Sequence, residues 1–296
     1  FVRSIGNAFH SPASSAVTPL MVPQDQLTKC AGYNQTMQAA VSLISPAAAA
    51  FLYSVWSLST IILLDIIGAV LACGVVAVLS IPNPPICPGE SQNSFFRDMK
   101  EGYFELKKNK GLFALLWIGT AYMFFFMPIS ALYPLMSMGY FRGTPTHASI
   151  AEIAFAGGML AGGILLSVWG GFKNRIFSIG LSVLVMGVSI AISGLLPTNA
   201  FFIFVICCTV MGLTSPFYGV QNALFQEQLP PEYLGRVFSL LGSVMSFAMP
   251  LGLLCSGIFA ERIGVEKWFL LCGIGIIAVA VLVFVLPVLR NVDCQS

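Results

Sequence analysis

Ser215-Pro216 begins a stretch that continues through Leu229-Pro230-Pro231-Glu232-Tyr233-Leu234 and Arg236 to Pro250, 34 positions after Pro216. Near the start of the chain the same grammar recurs. Ser11-Pro12 leads to Val22-Pro23-Gln24-Asp25-Gln26-Leu27 and Lys29, then to Pro46, again 34 positions after Pro12. Each stretch holds two apolar runs long enough to cross a bilayer, joined by a short polar turn. The two pairs run in the same directions. A parallel repeat six helices apart is the arrangement of two six-helix halves related by an axis along the membrane normal. If the seventh run is the fourth helix of its half, the first run is also a fourth. Nine of twelve helices are then present, equivalents of helices 4 to 12. Three are expected to be missing before Phe1, where the chain opens Phe1-Val2-Arg3 without an initiator Met.

Composition leads to the same class. Of 296 residues, 57% are hydrophobic and 9% charged, where soluble domains carry roughly 25% charged residues. A mean hydropathy of +0.88 excludes a disordered or collagen-like chain. The net charge of +2, with no basic stripe interleaved with aromatics, excludes nucleic acid as a partner. The eight cysteines form no CxxC pair and no Cys/His cluster, so they read as small packing residues, with no metal site. Apolar runs lie near 1–20, 31–54, 58–80, 111–135, 147–168, 176–196, 201–225, 234–260 and 267–289. This is an all-α integral membrane protein.

The long polar stretch, 82–110, begins with Pro82, Pro84, Pro85 and Pro88, which stop the preceding helix. Phe95, Phe96, Met99, Tyr103 and Leu106 then recur at helical spacing among Lys and Glu. That pattern predicts an amphipathic helix lying on the membrane surface, with a short soluble linker helix as the alternative. If this loop is cytoplasmic, ten of the fourteen Lys and Arg residues lie inside, three outside, and Arg3 within a helix. The positive-inside rule then places the C-terminus in the cytoplasm.

Charged side chains inside a membrane are costly and usually face the bundle interior. Arg3, Asp65 and Glu152 are such candidates for proton coupling. Desolvation raises a carboxylate's pKa towards neutrality, as proton exchange requires. The alternative is that each sits close enough to the interface to be hydrated. His10 shares a helix side with Arg3, and His147, near an outer loop, is expected to be solvated. The fourth run contains Tyr122-Met123-Phe124-Phe125-Phe126-Met127-Pro128, a soft wall suited to a bulky apolar ligand or equally to lipid. Tyr122 and Phe126 are its cavity candidates. Gln221 and Asn222, deep in the seventh run, suit either a substrate or interhelical hydrogen bonds. Gly158-Met159-Leu160-Ala161-Gly162 and Ser45-Pro46-Ala47-Ala48 are free of bulk and mark close helix packing. Pro46, Ala48, Gly158 and Gly162 are therefore expected at an interface where their two helices meet. No Walker loop, catalytic triad or polar catalytic cluster appears, so an enzyme is not expected.

These residues resemble a known family. Arg3-Ser4-Ile5-Gly6 is similar to the fourth-helix Arg-x-x-Gly motif of major facilitator superfamily drug antiporters. The run at 44–50 occupies the place of that group's fifth-helix motif, with alanines where glycines are usual. Gly162-Gly163 through Trp169-Gly170-Gly171-Phe172-Lys173-Asn174-Arg175 resembles the loop motif after the eighth helix, without its aspartate. Asp98-Met99-Lys100-Glu101-Gly102, Asn109-Lys110-Gly111-Leu112 and Pro231-Glu232-Tyr233-Leu234-Gly235-Arg236-Val237 look like the bacterial macrolide-efflux branch. The resemblance implies a major-facilitator-type bundle in a bacterial inner membrane. It implies export of a small amphipathic drug by proton antiport, without a cofactor, and assigns coupling to Arg3. Residues 1–80 would be the remnant of the N-terminal half, 81–110 the central cytoplasmic loop, 111–290 the C-terminal half and 291–296 a tail. A facilitator of another solute, or a non-transporting truncated scaffold, are the alternatives.

Overall fold

The computed structural model describes residues 15–23, 26–78 and 95–290. Arg3, His10 and the Ser11-Pro12 pair lie outside the described residues. Helix α1 covers 15–21. It is followed by α2 (Leu27–Val55), α3 (Leu58–Val78), α4 (Phe95–Lys108), α5 (Lys110–Leu135), α6 (Pro145–Trp169), α7 (Arg175–Leu195) and α8 (Phe201–Tyr218). Then come α9 (Val220–Gln228), α10 (Pro231–Ile263), α11 (Val265–Val285) and α12 (Pro287–Arg290). Among the described residues there are no strands, and six segments between Lys110 and Val285 are long and apolar enough to span a membrane. The chain is an all-α membrane helix bundle.

Local chemistry sets the helix ends. Asn109 Oδ1 accepts from the Gly111 and Leu112 amides at 3.1 and 3.3 Å, which starts α5. Asn174 Oδ1 accepts from the Phe177 amide at 2.6 Å and starts α7. Such side chains satisfy amide donors that have no intrahelical partner. Gly170, at φ 78°, ends α6 in the left-handed conformation that a glycine adopts without strain. His147 does more than meet solvent: its Nδ1 accepts from the Thr144 amide at 3.1 Å, and its ring lies 4.8 Å from that of Phe201. His147 is half-buried, so it meets solvent and also holds the amide of the residue that caps α6.

The last turn of α5 widens into a π-helical segment over Met136–Tyr140. A more consequential irregularity separates α8 from α9. Pro216 has no amide to donate within the helix, and the Gly219 amide reaches back only as far as the Pro216 carbonyl, at 3.0 Å. One apolar run thus becomes two helices meeting at Tyr218 and Gly219.

Helices pair as α7 with α11, α6 with α8, α2 with α6, and α5 with both α10 and α11. The closest pairings are made by glycines. A Cβ on Gly158 would stand 2.1 Å from the Thr209 carbonyl oxygen, one on Gly162 2.1 Å from that of Leu213, and one on Gly212 2.0 Å from that of Phe155. Gly158 and Gly162 therefore face α8, not the helix that carries Pro46 and Ala48. The α2–α6 contact does exist, but it uses Gly32 and Thr36 against Gly163 and Ser167. The reason is angular: Gly162 and Gly163 are about 100° apart around the helix, so each presents a different neighbour with its backbone.

Helix α4 is amphipathic, and the C-terminal part of its apolar face turns inward. Leu106 is fully buried, and a Cβ on Gly102 would lie 3.1 Å from the Arg236 carbonyl. Glu101 pairs with Arg236 at 3.0 Å, tying α4 to the start of α10. At its C-terminal end, α4 therefore packs on protein at Gly102 and Leu106. Phe104, Lys107 and Lys108 remain exposed. Lys108 pairs with Glu105, which raises the ammonium pKa above its ordinary value. The end of the bundle near α4 also holds Lys29, the 170–174 turn and the turn at 229–230.

Candidate functional site

Midway along α5, aromatic residues gather against the α8–α9 break. The Tyr122 ring stacks on Tyr218 at 4.2 Å between centroids and on Phe126 at 5.4 Å. Phe126 meets Phe155 of α6 at 6.4 Å, and Phe155 meets Tyr133 at 6.0 Å. The Tyr133 hydroxyl lies 3.5 Å from the Met211 sulfur. Aromatic residues recurring along one face of α5 thus build a wall across α5, α6 and α8. Rings and a thioether can re-pack against ligands of different shape, with little loss of contact area.

Polar atoms lie beside this wall. Gln221 is 2% exposed, and its Nε2 donates to the Leu115 carbonyl at 3.2 Å. Among the described residues, its Oε1 and the Tyr218 hydroxyl are buried with no hydrogen-bond partner. Gly119 lets them approach: a Cβ there would meet the Tyr218 hydroxyl at 2.7 Å, the Met245 methyl at 2.8 Å and Gln221 Nε2 at 2.9 Å. A buried polar atom without a partner is uncommon in native structures, and water or a ligand group is one way to satisfy it.

The expected cavity residues therefore divide. Tyr122 and Phe126 adjoin one another, and Gly119 brings Gln221 to the same cluster. Asn222, one residue on, points about 100° away and lines a separate cavity against α1 and α2. Of the charged candidates, Glu152 is exposed in the second turn of α6, Asp65 sits on α3, and Arg3 is outside the described residues. No contact among the three is described. Sequence reading missed Tyr218 and Gly119, though Pro216 two residues before Tyr218 was the available signal for a break. It also missed Asn34, Gln35 and Gln226, carboxamides that share the Asn222 cavity.

Near α4 the site is bounded by a charged contact. Arg175 donates to Glu227 at 3.2 Å and to the Gly170 carbonyl at 3.3 Å, joining the 170–174 turn to α9. Gln226 Nε2 donates to the Ser15 carbonyl at 2.7 Å, joining α9 to α1. Among the described residues, no three His, Cys, Asp or Glu side chains gather as metal ligands would.

Comparison with known proteins agrees with this architecture. The family model described as Major Facilitator Superfamily matches residues 1–252 and 118–292. The chain is 57% identical over 296 residues to macrolide efflux protein A of Streptococcus pyogenes, covering 100% of this chain and 73% of that protein. It is 58% identical over 254 residues to macrolide efflux protein A of Enterococcus faecalis, covering 86% and 79% respectively. The multidrug efflux pump Tap of Mycolicibacterium fortuitum is 29% identical over 174 residues, 58% of this chain and 41% of that one. Among solved structures, a bacterial homologue of the iron transporter ferroportin, in an outward-facing state, superposes with a TM-score of 0.67 at 14% identity. That superposition covers 98% of this chain and 70% of the homologue, and it bears on the fold alone.

Proposed function

The chain belongs to the major facilitator superfamily, and from that premise we propose that it exports macrolide-like or other amphipathic drugs, driven by proton influx. The observation that carries this reading is the 57% identity, over the whole chain, to a protein named for macrolide efflux. The aromatic wall around Tyr122 and Phe126 supports it, because a bulky apolar molecule needs a surface that adapts to it.

In this reading residues 1–80 and 111–290 belong to two halves that rock about a central cavity, with 81–110 as the cytoplasmic connection. The α4 end faces the cytoplasm of a bacterial cell, across its inner membrane. Alternating access then requires the contacts at that end to part, Gln226 with Ser15 and Gly163 with Thr36 among them. Substrate and proton must each bind one arrangement better than the other, since equal affinity for both moves nothing. Asp65 and Glu152 are the proposed proton carriers, and Arg3 the charge that tunes a neighbouring carboxylate.

Cells expressing the protein are expected to accumulate less labelled macrolide than control cells, and a protonophore should abolish the difference. Asp65→Asn should leave macrolide binding largely intact while removing gradient-driven efflux. Efflux at the wild-type rate in that variant would move the coupling site elsewhere, with Glu152 the next to test. Orientation is read by labelling single cysteines at Ser94 and Thr144 with an impermeant reagent outside intact cells. Thr144 should react and Ser94 should not.

A further inference from the structure

Between the two helix pairs joined by the repeated turns lies a cavity of about 120 Å³, walled by α1, α2 and α9. Among the described residues its polar lining consists of Ser15, Thr18, Asn34, Gln35, Asn222 and Gln226, none of them ionisable. Four carboxamides and two hydroxyls each offer a donor and an acceptor without formal charge. Such a lining does not select for a cation or an anion. It selects for neutral groups that both give and receive hydrogen bonds, and an apolar occupant would leave the amides unpaired.

Size and position narrow the occupant. Drug-sized ligands take pockets of about 300–1,000 Å³, so a cavity of about 120 Å³ holds only a part of such a molecule. The lining on α2 runs from Leu27 to Gln35, the first two turns, about 12 Å at 1.5 Å per residue. It therefore lies close to the α4 end, apart from the aromatic wall. The α8–α9 break shapes it too: a Cβ on Gly219 would stand 3.3 Å from Gln35 Nε2, so glycine there gives the amide room. Gln226 spans from α9 to the Ser15 carbonyl at 2.7 Å, which shows that a carboxamide on one wall reaches the other.

We propose that this cavity is a subsite for an uncharged, hydroxyl-bearing group of the exported molecule, such as a neutral sugar carried on a macrocycle. The inference rests on the macrolide reading above and adds to it a separate point of recognition. The aromatic wall takes the apolar ring system, and the carboxamides take the hydroxyls.

The test uses the intact protein in lipid nanodiscs, with a labelled glycosylated macrolide and its aglycone as probes. Asn34→Leu and Asn222→Leu remove one carboxamide from each wall at exposed positions, and Asn222→Ser is a milder second variant. Each leucine variant is expected to lose about tenfold in affinity for the glycoside, the scale of one hydrogen bond, and to keep aglycone affinity within about twofold. Loss of the two affinities in equal measure, or unchanged glycoside binding, overturns the subsite and leaves a cavity that only holds water. Wild-type protein that binds neither probe overturns the macrolide reading, and the subsite with it.

Discussion

Helix α6 meets α8 through backbone and meets α5 through rings, and Phe155 takes part in both contacts. Its carbonyl oxygen would lie 2.0 Å from a Cβ on Gly212, while its ring packs 6.4 Å from Phe126 and 6.0 Å from Tyr133. At Gly158, Gly162 and Gly212 the α6–α8 contact brings backbone against backbone, so along that stretch it has no rotamers to adjust. The aromatic contact is filled by groups that turn and slide at small cost. A transporter needs both kinds: pieces that move as units, and a surface between them that tolerates different ligands. In the proposed mechanism α6 and α8 travel together while the wall re-forms.

The sharpest way to break this comparison is to place a side chain in the backbone contact. Gly158→Ala should destabilise the purified protein by on the order of 3 kcal/mol, the upper range for overpacking, because the obstacle is the Thr209 carbonyl at 2.1 Å and not a movable side chain. Gly158→Leu should abolish recovery of folded protein. Among the described residues nothing lies within 4 Å of a Cβ added to the neighbouring Gly157. Gly157→Ala should be neutral, or more stable by about 0.5–1 kcal/mol through helix propensity. Thermal melting of the two alanine variants side by side decides the matter, and equal losses would mean that the contact is not made by backbone.

This pair also marks the limit of what the sequence tells. Gly157, Gly158, Gly162 and Gly163 read alike as small residues on one helix, yet they meet open space, α8, α8 and α2 respectively. The run of apolar residues sets each span, since length and hydropathy are local properties. Which neighbour a face meets depends on helices far away in the chain. Aromatic residues that pack inside a bundle are spelled like those that face lipid, so the stack of Tyr122 on Tyr218 and Phe126 was not legible. The α4 helix was legible from its spacing, but not its cover, because the Glu101–Arg236 pair joins residues 135 positions apart.

A smaller effect is expected in the aromatic wall. Phe126→Leu keeps an apolar side chain of similar volume next to Tyr122, so stability should fall by about 1 kcal/mol. What should change is the ranking of substrates in a binding panel, because flat rings lose a stacking partner while branched ligands do not. An unchanged ranking would show that this face meets lipid and not cargo.

The smallest expected effect on stability is the most informative about the polar atoms beside the wall. Among the described residues the Tyr218 hydroxyl is buried and has no hydrogen-bond partner, so its removal takes no hydrogen bond from the fold. Tyr218→Phe removes only that oxygen and keeps the stack on Tyr122 at 4.2 Å. The variant should therefore melt at the same temperature as wild type or slightly higher, which is the reverse of the Gly158 result. A lower melting temperature would mean that the hydroxyl is bonded to an ordered water in the resting protein. An unchanged melting temperature together with weaker binding of a hydroxylated ligand would mean that the oxygen is held in reserve for cargo. Stability and binding would then depend on different atoms of one side chain, as the contrast between a fixed backbone contact and an adaptable wall requires.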